Sequence, residues 1–217
     1  MVKSRAVPDF WMIAATIGIL AIGVVMVYSA SAVAAFHDYG DPYYYVKRQA
    51  VFALLGIAAM FVTMNIDYQA WRKWAVPALL ICFGLLIIVL VPGIGVVRGG
   101  ARSWLGIGSF GIQPSEFMKL AMILFLARYL SERLDRMHSF RQGLLPPLAI
   151  LGIAFGLIML QPDLGTAVVM FGASLLGIYA AGARIAHLGG LGLIGLAGLG
   201  VLIAAAPYRL KRITAFL

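Results

Sequence analysis

Charge is scarce in this chain. Of its 217 residues only 12% are charged, where a soluble domain carries about 25%, and apolar residues make up 63%. Mean hydropathy is +0.98. Water is therefore not the main solvent of this surface, which excludes a soluble enzyme, a disordered tail and a nucleic-acid-binding domain. Acidic residues are scarcest, 8 against 17 Lys and Arg. The resulting charge of +9 sits in gaps between apolar runs, where it meets lipid headgroups or anionic substrates and not DNA. Cysteine is limited to Cys82, inside an apolar run, so no disulfide framework or Cys-based metal site can form within the chain. A Walker motif, a His pair and a Ser/His/Asp arrangement are also missing. His37, His138 and His187 are far apart in sequence and are expected on different loops.

What is present is a series of apolar runs. The first follows Lys3 and Arg5 and extends from Trp11 to about Val33. A cleavable signal peptide has a shorter apolar core and a small-residue cleavage site. Ala30, Ala32 and Ala34 resemble such a site, but roughly 23 apolar residues suffice for a full span and favour a retained helix. Further runs lie at about 46–66, 75–91, 117–130, 147–161, 167–183 and 186–206. The expectation is an all-α polytopic transmembrane bundle of about seven helices, a single integral membrane domain over 1–217. Some runs are short: Phe117–Leu130 covers about 21 Å against about 30 Å of hydrocarbon. Such a helix must extend into its polar flanks, thin the bilayer or shelter in the bundle.

Placing the N-terminus in the cytoplasm fixes every later loop. Lys3, Arg5, Arg72, Lys73, Arg128, Arg133, Arg136, Arg141 and Arg184 then lie inside. Lys47, Arg48, Arg98, Arg102 and Lys119 lie outside, with Arg209, Lys211 and Arg212 of the terminal stretch. The bias is small but favours a cytoplasmic N-terminus. Cations on the outside therefore need another reason to be there. In the last helix Gly189, Gly192, Gly195 and Gly198 recur every third residue, and Gly152 and Gly156 form a GxxxG in the fifth. Close helix–helix packing is the expected use of both. The chain stops at Ala215-Phe216-Leu217, after a basic stretch that looks like the start of a loop, and a truncated chain is expected.

The outer segment 92–116 is long for a membrane bundle, and loops beyond about 12–15 residues are usually functional or disordered. Its glycines are interleaved with Arg98, Arg102, Trp104, Leu105 and Phe110. Hydrophobics spread in this way predict an ordered extracellular loop folded back on the membrane surface. It runs into Gln113-Pro114-Ser115-Glu116-Phe117-Met118-Lys119. Pro114 suits a first helical position, Glu116 then lies in the first turn, where the helix dipole favours a carboxylate, and Lys119 stands one turn deeper on the same face. A local ion pair accounts for Glu116 as well as a functional role does. Lys119 is harder to explain structurally, because a cation entering an apolar span marks a functional site by default.

The second polar feature is Gln161-Pro162-Asp163-Leu164-Gly165-Thr166, between two apolar runs. Pro162 breaks the helix ladder and Asp163 can cap the next helix. A cap alone does not explain so tight a turn between two buried runs, so Asp163 is also a candidate functional acid. The outer face thus gathers Arg98, Arg102 and Lys119 with Glu116 and Asp163. Cations there suit a phosphate-bearing lipid. The carboxylates suit base catalysis or a divalent cation, Mg²⁺ or Mn²⁺. Residue chemistry alone goes no further than a site for an anionic lipid.

Five motifs carry a family resemblance: Met26-Val27-Tyr28-Ser29-Ala30-Ser31, Lys47-Arg48-Gln49, Arg102-Ser103-Trp104-Leu105-Gly106, Gln113 to Leu120, and Gln161 to Thr166. With the tail Ala206 to Leu217 they resemble the SEDS family (shape, elongation, division and sporulation), in its FtsW/SpoVE branch and not its RodA branch. The resemblance runs through the whole chain in order. It implies ten helices, of which these are the first seven, with 207–217 opening a large extracellular loop. It implies a peptidoglycan glycosyltransferase that polymerises lipid II with an undecaprenyl-diphosphate-linked glycan as donor, for division or sporulation septa, beside a class B penicillin-binding protein in the bacterial cell membrane. Trp104, Glu116, Lys119 and Asp163 match family functional positions, with Arg102 as companion. Asp163 and Glu116 are thereby the candidate catalytic carboxylates, and Arg98, Arg102, Trp104 and Lys119 the candidate substrate-binding residues. The family's essential loop aspartate falls beyond Leu217, so the piece as given is expected to be inactive alone. Two rival readings are a lipid II flippase, which would need ionisable residues at midplane depth, and a non-catalytic scaffold for the penicillin-binding protein.

Overall fold

The computed structural model describes residues 8–98, 100–107, 110–137 and 139–204. Seven α-helices lie among them: α1 (Phe10–Tyr39), α2 (Tyr44–Met64), α3 (Tyr68–Leu90), α4 (Pro114–Ser131), α5 (Leu145–Leu160), α6 (Leu164–Ala180) and α7 (Ile185–Ala204). α1, α2, α3 and the continuous helical run Phe140–Leu160 are each long and apolar enough to cross a bilayer. The expected α-helical architecture is therefore present. Lys3, Arg5, His138 and the tail 205–217 lie outside the described residues.

Local signals set the helix ends. Asp9 caps α1, its Oδ1 accepting from the Trp11 and Met12 amides at 2.9 and 3.3 Å. Gly40 closes that helix at φ +71°, the left-handed conformation that ends helices and costs glycine no Cβ clash. Pro114 opens α4, where its missing N–H would have had no helical partner. The short fourth run gains length by recruiting its flanks: α4 has 18 residues, about 27 Å at 1.5 Å per residue. The helix both extends into its polar flanks and shelters in the bundle, burying Met118, Met122, Leu126 and Leu130.

The 92–116 segment departs from its expected loop character. It holds β1 (Val96–Arg98), β2 (Ala101–Ile107) and β3 (Phe110–Ile112), an antiparallel meander in the order β1-β2-β3. Val96 stands opposite Trp104, and Leu105 opposite Ile112. Glycine makes the β1–β2 turn, Gly100 at φ +86°. No period-2 pattern marks these strands: β1 and β3 have three residues each, and the seven-residue β2 runs through Arg102-Ser103-Trp104-Leu105-Gly106 without apolar–polar alternation.

Packing divides the chain into two compact units, one up to Tyr68 and one from Gln69 onward. In the first, α1 and α2 form a hairpin joined by aromatic contacts, Tyr28 stacking on Tyr43 at 5.3 Å. A groove of about 630 Å³ between these helices is lined by Leu20, Gln49, Phe52 and Ile57, among others. In the second unit Met118, Met122, Leu126 and Leu130 of α4 meet Leu151, Ala154 and Ile158 of α5, Ala167, Met170 and Ile178 of α6, and Leu79, Cys82 and Leu86 of α3. The spacing of three and four puts each set on one helical stripe. The opposite faces stay apolar and exposed, Leu160 at 68% and Leu176 at 69%, as suits lipid. Because lipid is as apolar as leucine, these helices associate through packing and interhelical hydrogen bonds.

The glycine stripes do not serve that packing among the described residues. A Cβ added at Gly152, Gly156, Gly189, Gly192 or Gly198 would meet nothing within 4 Å, and only at Gly195 would it approach a neighbour, Phe171, at 3.6 Å. The small residues lie on open faces and not, as expected from their spacing, in tight crossings.

Candidate functional site

Two turns converge at one end of the second unit. The β-meander delivers the chain into α4 at Gln113-Pro114, and the α5–α6 turn carries Gln161, Pro162 and Asp163. Gln113 Nε2 donates to Asp163 Oδ2 at 2.6 Å, across 50 residues of sequence. The other carboxylate oxygen, Oδ1, accepts from the Thr166 amide at 3.2 Å, so Asp163 is the N-cap of α6. It therefore caps the helix and at the same time ties α6 to α4. Both bonds come from neutral donors, and among the described residues Asp163 makes no ion pair.

Glu116 and Lys119 lie on the same end of α4. Lys119 Nζ is 2.9 Å from Glu116 Oε1, with Lys119 25% exposed and Glu116 52%. The i, i+3 pair is the one the spacing predicted. Arg102 stands on β2 with its stem against Gly95, where an added Cβ would lie 2.8 Å from Arg102 Cγ and run into the Val89 carbonyl oxygen. Glycine at 95 is what lets the end of α3 and the arginine stem share that space. Trp104 is half-buried on the same strand. Arg98 ends β1 opposite Ala101, and its side chain lies outside the described residues. Thus Arg102, Trp104, Glu116, Lys119 and Asp163 all belong to one unit. Asp163 contacts Gln113, and Glu116 contacts Lys119.

Three polar residues were missed in the sequence. Gln113, Ser115 and Gln161 hold no formal charge, and attention to ionisable groups passes over them. Ser115 and Gln161 are fully buried. Gln161 Nε2 donates to the Leu86 carbonyl of α3 at 3.2 Å, which fixes the turn before Asp163 against α3. Among the described residues neither Gln161 Oε1 nor Ser115 Oγ has a hydrogen-bond partner. A buried polar group without a partner costs about 1–3 kcal/mol, and both atoms can accept a hydrogen bond. A usable signal existed: each glutamine immediately precedes a proline at the border of an apolar run, where a long amide is otherwise hard to place.

The donor set for a metal is sparse. Among the described residues no three His, Cys, Asp or Glu side chains converge. Asp163 and Glu116 supply hard oxygens suited to Mg²⁺ or Mn²⁺ only in combination with oxygens of another molecule.

The fold and this polar end define a multi-pass helical membrane protein. The model of the FtsW/RodA/SpoVE family, described as cell cycle protein, matches residues 10–217, and the chain belongs to that family. It is 53% identical to stage V sporulation protein E of Bacillus subtilis over 217 residues, all of this chain and 59% of the relative. It is 41% identical over 209 residues to a protein of Trichlorobacter lovleyi named "Probable peptidoglycan glycosyltransferase FtsW", covering 96% of this chain and 55% of that one. These relatives agree with the FtsW/SpoVE branch. A solved structure described as "Structural coordination of polymerization and crosslinking by a peptidoglycan synthase complex" superposes with a TM-score of 0.63 at 29% identity, over 90% of this chain and 57% of its own. The chain spans between half and three fifths of the length of these curated relatives.

Proposed function

We propose that the protein is a peptidoglycan glycosyltransferase that polymerises lipid II into glycan strands for septal wall synthesis in division or sporulation. The observation that carries this reading is the Gln113–Asp163 bond, which joins two motifs beside the Glu116–Lys119 pair. The names of the relatives support it. In the proposed reaction the 4-hydroxyl of the incoming sugar attacks the anomeric carbon of the growing chain and undecaprenyl diphosphate leaves. The hydroxyl must lose a proton, and negative charge grows on the departing diphosphate. Lys119, Arg102 and Arg98 answer that charge. Asp163 and Glu116 act at the acceptor, with Asp163 aimed by Gln113, and Trp104 offers a flat apolar surface to the sugar or lipid. A divalent cation, Mg²⁺ or Mn²⁺, is part of the proposal: such ions are held by one or two carboxylates together with substrate phosphates, and Asp163 or Glu116 would supply the protein's share.

The proposed setting is the bacterial cell membrane, with the N-terminus in the cytoplasm, the meander outside, and a class B penicillin-binding protein as partner. Glu116 and Lys119 lie in the first two turns of α4, Asp163 caps α6, and Arg98 and Arg102 are on the meander; candidates outside the middle of the apolar helices favour surface chemistry over a flippase path. The decisive assay is lipid II polymerisation by the purified full-length protein with its partner. Glycan chains are expected, and their absence from a folded, correctly assembled sample removes the enzymatic reading in favour of a scaffold. Topology is checked by cysteine labelling in a Cys82→Ala background. Val97→Cys is expected to react from outside and Ser139→Cys only after permeabilisation; the reverse pattern inverts the orientation.

A further inference from the structure

The far end of the same unit carries a second charged cluster that the proposed reaction does not use. Arg72, near the start of α3, and Arg128, in the last turn of α4, both reach Glu132, with Nη2 and Nε at 2.9 and 3.3 Å from its Oε1. Arg133 adds Nη1 at 3.9 Å from Oε2 and lays its guanidinium 4.4 Å over the Tyr129 ring. Arg128 Nη1 also donates to the Arg72 carbonyl at 3.2 Å, so the arrangement locks α3 to α4. One carboxylate thus gathers three guanidiniums. With the neighbouring exposed Lys73 and Asp135 included, cations still exceed carboxylates.

The guanidiniums are held in place and remain underused. The Arg72, Arg128 and Arg133 side chains are 56, 35 and 39% exposed. Arg72 spends one terminal nitrogen on Glu132, and each guanidinium has five N–H donors in a planar fork suited to phosphate oxygens. The flanking residues set the depth. Trp71 and Trp74 bracket Arg72 and Lys73, Trp74 being 64% exposed, and below them α3 continues as an apolar span. Tryptophan beside basic residues at the end of a span is the composition of the headgroup layer. A soluble anion would need the cations; it would not need the tryptophans.

We propose that Arg72, Arg128 and Arg133, gathered by Glu132, form a binding site for the phosphate headgroup of an anionic membrane lipid, with Trp71 and Trp74 against its glycerol and upper acyl region. The bound lipid bridges α3 and α4 at the end of the unit opposite Asp163. This site is independent of the glycosyltransferase reading.

The test is native mass spectrometry of the protein released from nanodiscs of equal phosphatidylglycerol and phosphatidylcholine. Several-fold enrichment of bound phosphatidylglycerol is expected for the parent. Arg72→Gln/Arg128→Gln should abolish the enrichment, while Arg141→Gln, an exposed arginine outside the cluster, should keep it. No enrichment in the parent, its survival in the double variant, or an equal loss in Arg141→Gln overturns the site. Should the double variant misfold, Arg133→Gln takes its place. Arg133 bridges no two helices, so its loss must lower the enrichment without lowering the melting temperature in phosphatidylcholine, and unchanged enrichment refutes the proposal. A second arm compares melting in detergent with added phosphatidylglycerol or inorganic phosphate. Only the lipid is expected to raise the transition; an equal rise with inorganic phosphate shows a soluble anion site instead.

Discussion

At the Pro114 end of α4 a carboxylate is held by a neutral amide, while at the Ser131 end, about 27 Å away along the axis, one carboxylate is shared by three guanidiniums. The two ends use similar residues for different purposes. A cation on Asp163 would cancel its charge within the protein. Gln113 and the Thr166 amide orient it and leave the charge in place. Glu132 works the other way, because its single negative charge gathers more positive charge than it cancels. One end therefore offers an aimed negative group with unpartnered acceptors nearby, and the other a surplus of oriented donors. Position on a bundle end does not decide function; the balance between charge and its local compensation does.

The largest effect that would break this contrast belongs to Asp163. Asn is about as good a cap as Asp, and its amide can still meet Gln113 if the glutamine side chain rotates to present its oxygen. Asp163→Asn in the full-length protein should keep the melting temperature near the parent's. It should lower lipid II polymerisation by about 100-fold or more, the scale of a lost acid–base or charge-stabilising group. Asp163→Ala should add a loss of about 1 kcal/mol in stability from the missing cap. Parent-like polymerisation by the Asn variant would make Asp163 a structural residue and leave the Gln113 bond as a helix tie.

The next effect concerns the cations at the same end. If Lys119 and Arg102 hold the diphosphate as proposed, Lys119→Ala and Arg102→Ala should each cost a charge-assisted contact of about 1.5–3 kcal/mol, roughly 10- to 150-fold in the use of lipid II by the full-length protein. Lys119→Ala also releases Glu116 from its 2.9 Å pair, so its loss should exceed that of Arg102→Ala. Steady-state polymerisation at varied lipid II separates the two. Both variants at the parent rate, with parent melting curves, would remove the diphosphate role from this end.

The helices were legible because long apolar runs admit few other structures in lipid, where each backbone polar group must be satisfied internally. The ion pair Glu116–Lys119 was legible for a similarly local reason, a fixed three-residue offset on one face. The meander was not, since two of its strands have three residues, too few for a repeating pattern, and the seven-residue β2 sets Trp104 beside Leu105 and breaks the alternation. Nor was the Gln113–Asp163 bond: it depends on how α4 and α6 come together, and no spacing rule connects positions 50 apart. The glycine stripes show the converse error. Their three- and four-residue spacing satisfies the rule for close packing, but among the described residues only Gly195 has a neighbour, Phe171, within 4 Å of an added Cβ. Local rules transfer from sequence to structure; rules that presuppose a partner do so only where that partner is present.

The smallest expected effect lies at the arginine end and is read through pH. Arg72 above all, and then Arg128, hold the Glu132 carboxyl below its ordinary value of 4.5. A carboxyl whose folded pKa is depressed binds fewer protons folded than unfolded, so its contribution to stability is complete above 4.5 and is lost as pH falls through the lowered folded value. Glu132 is at the surface, where solvent screening keeps such contributions small. Melting curves of the parent should therefore lose a modest increment between about pH 5 and the acid limit of folding. Glu132→Gln, which cannot titrate, should lack that increment across the range. Removing the carboxylate also leaves three arginines repelling one another, so the variant should melt lower than the parent at neutral pH and approach it in acid. Added salt, by screening those arginines, should narrow the neutral-pH gap. Parallel pH profiles for parent and Glu132→Gln would mean that Glu132 does not organise the cluster, and the contrast between the two ends of α4 would then rest on Asp163 alone.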